Sequence, residues 1–159
     1  MAFRAMRRKT KEISREAVTA LLRQERRGVL AVNGEQGYPY AVPINYWYDE
    51  EQEKIYFHGA SQGYKAEMLK ACDKICFTVY GNERRRENEW APYMQSAVVF
   101  GRCHAVESRD AILELVRKFA RKYYPSEELI DQEVAAFGHE VQMFAITIEH
   151  MTGKEIQER

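Results

Sequence analysis

Two connections only four residues long join the first three strand-like runs of the chain, and they restrict its topology more than any other feature. GVLAVN (28–33) leads through Gly34-Glu35-Gln36-Gly37 into YPYAVPINYWYD (38–49), and Glu50-Glu51-Gln52-Glu53 then leads into KIYFHG (54–59). Parallel pairing needs a crossover of about a dozen residues or more. These three runs are therefore expected to form an antiparallel meander.

The remaining periodicities fill in the order of elements. Ser14 reads as a helix N-cap with Ile13 and Val18 as a hydrophobic staple, and Val18, Leu21 and Leu22 give that helix a narrow apolar face as far as about Arg27. A helix of about ten residues is expected after the turn at 60–63. KICFTVYG (74–81) and SAVVFGRCHAVE (96–107) read as strands, separated by the charged segment NERRRENEWAP (82–92), which is expected to be a mobile loop. Ile112, Leu113, Leu115, Val116 and Phe119 repeat at helical spacing over 109–124, Pro125 breaks that helix, and a shorter one starts at Ser126. VQMFAITI (141–148) is the last expected strand. Five or six antiparallel strands interrupted by helices make an α+β domain, and a closed or partly closed barrel would leave few exposed edges. At 159 residues one such domain accounts for the whole chain, 1–159.

Charge is balanced overall but not locally. Residues 1–27 hold nine Lys/Arg against three Glu, so residues 1–12 read as a basic N-terminal arm. No nucleic-acid recognition motif accompanies it, and neither nucleic acid nor membrane is expected as a partner. The sequence shows no apolar run near the ~20 residues of a membrane helix. With three cysteines, an odd number, the expected setting is the cytoplasm. Cys72, Cys76 and Cys103 lack the spacing of a zinc site, and no metal is expected.

The chemistry concentrates in IYFHGASQGYKAEML (55–69). Gly59-Ala60-Ser61-Gln62-Gly63 matches G-x-S-x-G, but a nucleophile elbow belongs to a parallel sheet, and hairpins surround this turn. Nor is it a Walker loop, whose lysine directly follows the second glycine. Gly59, Ser61, Gly63 and Lys65 at a helix start leave two readings open: an anion site, or a solvated lysine after an ordinary turn. Pro39 and Pro43 place their strand at an edge or bulge, so the backbone of Val42, Ile44 and Asn45 is either free to face a flat heterocycle or merely an edge. His58, on the same strand face as Tyr56, is either structural or a group that transfers a proton to, or polarises, a substrate.

MRRKTKEIS, GYPYAVPINYWYD with KIYFHGASQGYKAEML, SAVVFGR and the tail MTGKE, in this order and spacing, resemble the flavin-binding split-barrel proteins of the pyridoxamine 5'-phosphate oxidase-like superfamily, nearest the nitroimidazole-reductase (Nim-type) branch. The resemblance implies an antiparallel six-stranded split β-barrel of Greek-key-like order with flanking helices, assembled as a homodimer. It also implies FMN, or alternatively haem or another flavin-like cofactor, in a groove between subunits. By motif, Val42, Pro43, Ile44 and Asn45 would line the isoalloxazine. His58, Gly59, Ala60, Ser61 and Lys65 would approach the ribityl phosphate, Ser96 would add a contact from the fifth strand, and Trp90 and Tyr93 would cover the flavin of the other subunit. His58 is the implied catalytic residue. Family members often carry Ser where this chain has Gly59, so one hydroxyl donor is lost. The implied activity is an FMN-dependent oxidoreductase that passes electrons from NADH or NADPH to a small acceptor such as a nitroaromatic. The rivals are a non-catalytic flavin- or haem-binding dimer and a barrel that has lost its cofactor.

Overall fold

Seven strand segments form one antiparallel sheet in the computed structural model, which describes residues 2–159. They are β1 (Arg27–Asn33), β2 (Pro39–Asn45), β3 (Trp47–Asp49), β4 (Lys54–Gly59), β5 (Lys74–Arg84), β6 (Tyr93–Ala105) and β7 (Gln142–Gln157), in the spatial order β2-β1-β5-β6-β7-β4-β3. The two ends of this order, β2 and β3, are consecutive in the chain with only Tyr46 between them. What reads in sequence as one long second strand is therefore two pieces that serve opposite ends of the sheet, and the sheet curls round into a split barrel. The expected six strands become seven segments for this reason alone.

Tyr46 leaves both ladders, so its peptide groups need other partners. Its N–H donates to the Tyr123 hydroxyl at 2.9 Å, and that hydroxyl lies within donating reach of the carbonyls of Arg26 (2.7 Å) and of Tyr46 itself. The Tyr46 side chain is fully buried, and its own hydroxyl donates to the Leu22 carbonyl at 2.7 Å. Lys122 lies 4.1 Å above the Tyr46 ring and donates to the Glu25 carbonyl. Burial pushes the Lys122 ammonium down to about 8.

The helices close what the strands leave open. α1 (Arg15–Gln24) is capped by Ser14, whose hydroxyl accepts the Ala17 N–H, and it buries Val18, Leu21 and Leu22 against one barrel end. It ends three residues before the expected Arg27, because Glu25 is already extended and Arg27 begins β1. Gly153 permits this contact: a Cβ there would lie 2.4 Å from a Val18 methyl and 3.0 Å from Ile13. α2 (Tyr64–Ala71) buries Ala66 and Leu69 at the other end, α3 (Arg109–Arg121) packs outside β4 and β7, and α4 (Glu127–Phe137) packs against α3. Alternation along the strands sends Leu30, Phe57, Phe77, Val79, Val99 and Ile146 into the interior, each contributing roughly 1.5–3 kcal/mol by burial.

Two other expectations change, and the arm finds a place. β7 runs on from Ile148 through MTGKE to Gln157, bent where the β6 register shifts between Phe100 and Gly101. Residues 82–84 continue β5, which shortens the charged connection to 85–92; Arg84 pairs with Glu155, and Arg86 lies 4.1 Å over the Tyr93 ring. The basic arm is held on the sheet: Phe3 stacks on His150 at 4.7 Å, and Glu12 bridges to Lys154. Met1, within the arm expected over 1–12, lies outside the described residues.

Two measurements probe the closure at Tyr46. Tyr123→Phe should destabilise the protein by about 1–3 kcal/mol in urea unfolding, because a buried N–H loses its acceptor; an unchanged midpoint would show that the hydroxyl is dispensable. Lys122 binds its proton more weakly folded than unfolded, so from about pH 8 to about pH 10 the unfolded chain holds more protons and stability rises with pH. Relative to Lys122→Met, the native protein should therefore gain stability across that window, and a flat difference would contradict the burial of the ammonium.

Candidate functional site

The split in the barrel gathers most of the residues singled out in the sequence. In the β3–β4 ladder Trp47 pairs with Tyr56; two residues further, the same register would set Asn45 against His58. Instead β2 turns to β1, where Asn45 pairs with Arg27, Ile44 with Gly28, Pro43 with Val29 and Val42 with Leu30. β2 and the end of β4 thus border a gap, with β2 presenting an unpaired edge. Pro39 and Pro43 share one parity, which suits the side facing away from β1, where no N–H is needed. That parity directs the N–H groups of Val42 and Ile44 into the β1 ladder and leaves those of Ala41 and Asn45 on the free edge. The expectation of free backbone at Val42 and Ile44 is corrected accordingly; Ile44 instead contributes its side chain to the core margin.

Beyond Gly59 the chain passes Ala60, Ser61 and Gln62, all exposed, and turns at Gly63 (φ 108°) into α2. α1, α3 and α4 are each capped by a serine side chain, Ser14, Ser108 and Ser126. α2 has no side-chain cap, so its first-turn N–H groups remain available. Tyr64 at this helix start is tied to the β1–β2 turn: its hydroxyl accepts the Glu35 N–H at 2.8 Å and its ring meets Tyr40 edge-on at 4.9 Å. These contacts hold the beginning of β2 beside the beginning of α2.

Lys65 is half-buried over the Phe57 ring, 5.1 Å from its centroid. Burial lowers its affinity for a proton, and among the described residues it makes no ion pair with a carboxylate. Gly59 faces it directly: a Cβ on Gly59 would lie 3.4 Å from Lys65 Nζ and 3.3 Å from the Phe144 ring, so the missing side chain leaves the ammonium its place. Burial also pushes the Cys103 thiol up to about 12. Ser61 opens into a cleft of about 660 Å³ between α2 and the ends of β6 and β7, lined also by Leu69, Cys103, His104, Gln142 and Phe144.

His58 points the other way. It shares a strand face with Tyr56, packs edge-on against Phe119 at 5.2 Å, and has its pKa lowered by burial and by the Lys65 charge, which favours the neutral imidazole at neutral pH. No signal in the sequence links positions 58 and 119, since they meet only through the packing of α3 on β4.

One expected site residue stands apart. Ser96 pairs with Tyr80 and Lys154, whereas Gly59 pairs with Gln142, twelve positions earlier on β7, so within one chain Ser96 lies toward the opposite barrel end. Trp90 is 77% exposed, and it and Tyr93 also lie toward the Ser96 end.

The donor set at the split fits an anionic group carrying a planar ring. An unpaired ammonium, the Ser61 hydroxyl and an uncapped helix start adjoin a free strand edge. No helix of the described residues is long and apolar enough to cross a membrane.

Comparison with known proteins agrees with this architecture. The family model for pyridoxamine 5'-phosphate oxidase matches residues 14–155. No curated protein sequence matches the chain. Among solved structures, a candidate 5-nitroimidazole antibiotic resistance protein from Bacteroides thetaiotaomicron is 20% identical, with a TM-score of 0.76 over 92% of this chain and 87% of that one. An FAD-binding protein from Mesorhizobium loti is 24% identical, with a TM-score of 0.65 over 92% and 97%. An FAD- and haem-binding protein from Mycobacterium smegmatis is 18% identical, with a TM-score of 0.71 over 94% and 74%. At these identities the structures show a common fold. Split barrel, matched motifs and family model together establish that the chain belongs to the pyridoxamine 5'-phosphate oxidase family of the FMN-binding split-barrel superfamily.

Proposed function

We propose that the protein is an FMN-dependent oxidoreductase, and the observation that carries this reading is the half-buried Lys65 ammonium without a carboxylate partner, set beside an uncapped helix start. A partly desolvated cation of this kind is stabilised by a ligand anion, and the first turn of α2 adds N–H donors aimed outward. Lys65, Ser61 and the backbone of Gly59 and Ala60 would hold the phosphate. Val42, Pro43, Ile44 and Asn45 would border the ring along the split. The flavin, held by these residues, would supply the redox chemistry between a reduced nicotinamide and a small acceptor such as a nitroaromatic. His58, kept neutral by burial and by the Lys65 charge, can donate or accept one hydrogen bond toward an acceptor.

A homodimer completes the site in this reading. Ser96, Tyr80 and Phe100 share the outward face of β5 and β6; Tyr80 is 61% and Phe100 39% exposed, which is costly for aromatic side chains left in water. A second copy covering this face would bring its own Ser96 and Trp90 toward the split.

The FAD- and haem-binding proteins among the structural relatives support a second reading, a flavin- or haem-binding protein without turnover. Mixing FMN-loaded protein anaerobically with NADH or NADPH separates the two. Bleaching of the flavin absorbance is expected, and no bleaching with either donor would favour the binding protein. Lys65→Ala should weaken FMN by about 1–3 kcal/mol in a fluorescence-quenching titration, as for a lost charge-assisted hydrogen bond; unchanged affinity would remove Lys65 from the site. Tyr80→Glu should convert a dimer to a monomer in sedimentation and reduce FMN retention with it, whereas a monomeric wild type would exclude the shared site.

A further inference from the structure

The last turns of α1 and α3 meet β3 at a second cleft, of about 400 Å³, to which neither Lys65, Ser61 nor the free edge of β2 contributes. Arg23 reaches it from α1, Trp47 and Tyr48 from β3, and Lys118, Arg121 and Lys122 from the end of α3. Four cations thus converge beside an aromatic wall, and among the described residues no carboxylate lines the cleft. Asp49, the next residue of β3, is held by the N–H groups of Glu51 and Gln52 in the following turn.

Ordinary structural roles account for only part of this charge. A helix C-terminus carries about half an elementary negative charge, so the two helix ends call for roughly one cation rather than four. Arg23, Lys118 and Arg121 do pair with Glu50, Glu114 and Glu127. Those pairs are exposed and contribute little, so a ligand can take over their cations at small cost. Lys122 has no carboxylate partner among the described residues. Burial and the neighbouring Arg26 charge weaken its hold on a proton, and an anion in the cleft would oppose both.

Trp47 adds a preference for a planar ring. It is half-buried, and its indole is backed by the Tyr56 ring at 5.5 Å with 20° between the planes. β3 is also the last strand of the sheet, so its outer edge has no ladder partner and its peptide groups can meet the polar edge of a base. Charge sets the rest of the ligand. Four cations exceed the charge of one phosphate monoester, at most about −2, and suit two phosphate groups.

We propose that this cleft binds a nucleoside diphosphate, with its base against Trp47 and its phosphates held by Arg23, Lys118 and Arg121, backed by Lys122. The site shares no lining residue with the Lys65 cluster, so it goes beyond the flavin reading and does not depend on it.

The test needs no flavin. Trp90→Phe leaves Trp47 as the sole tryptophan, and in that full-length background ADP, AMP, adenosine and inorganic pyrophosphate are titrated with indole fluorescence as the readout. Saturable quenching by ADP is expected, with AMP several-fold weaker and adenosine and pyrophosphate each at least about tenfold weaker. Arg121→Ala, at an exposed position, should weaken ADP about tenfold with the urea midpoint preserved. Should that variant unfold, Lys118→Ala one turn earlier is expected to give the same loss. Lys65→Ala should leave ADP binding unchanged. The proposal is overturned if ADP gives no saturable change at Trp47, or if removing the cation leaves ADP affinity as it was. Pyrophosphate binding as tightly as ADP would also overturn it, since only a patch for anions would remain. So would loss of ADP binding in Lys65→Ala, because the nucleotide would then occupy the phosphate cluster at the split.

Discussion

The architecture depends on one residue that belongs to neither of the strands it joins. At Tyr46 the chain leaves the β1 ladder and enters the β4 ladder, so a single run closes the barrel at one end and splits it at the other. A break of this kind exposes an N–H and a carbonyl in the interior, where an unpaired group costs about 1–3 kcal/mol. The Tyr123 hydroxyl meets both, from the turn that follows α3, 77 positions further along the chain. Lys122 beside it supplies a donor to the end of α1 and a cation over the Tyr46 ring. The outer helices are therefore part of the closure, and the split exists because they hold it.

The candidate site is a consequence of that split. Had β2 continued along β4, Asn45 and His58 would have been ladder partners and the edge between them would have been consumed in pairing. Because the register ends at Trp47, β2 retains an unpaired edge, and the same gap admits Lys65 above Phe57 and Gly59. α2 crosses this end of the barrel to deliver the chain from β4 to β5, which places its uncapped first turn at the gap. Topology and local sequence converge here: Gly63, in a left-handed conformation and without a side chain, turns the chain sharply while leaving the helix start open.

Much of this was legible from local signals. Short turns dictated antiparallel hairpins, and Ser14, Ser108 and Ser126 cap helices where the spacing of apolar residues begins. Gly-rich turn chemistry and Lys65 marked the helix start at the split, and the resemblance to split-barrel flavoproteins drew Val42–Asn45 into the same neighbourhood. What escaped were relations with no local trace. The interruption at Tyr46 sits in the middle of an aromatic, strand-forming run, YPYAVPINYWYD, whose propensity is uniform; only the Tyr123 contact distinguishes that position. The last strand was expected to end at Ile148, yet the tail MTGKE beyond it pairs along β6 because β6 itself is long enough to support it. Ser96 was grouped with the phosphate contacts by motif, and strand length alone puts it toward the other end of its own chain.

The strand alternation of β4 gives Gly59 a different meaning from the one its composition suggests. Phe57 and Gly59 face Lys65, while Tyr56 and His58 face α3, so one strand serves two compartments with no side chain in common. A serine at 59 would stand in the first compartment, its Cβ 3.4 Å from the ammonium and 3.3 Å from Phe144. Its hydroxyl would compete with a ligand for the same cation, or push Lys65 away from the Phe57 ring. Glycine removes both conflicts and lets the ammonium lie against the backbone. In the proposed function the loss of a hydroxyl donor would be offset by closer access to a charge, since charge-assisted contacts are roughly twice as strong as neutral ones. The departure from the family pattern at Gly59 would then shift anion recognition from the strand to Lys65.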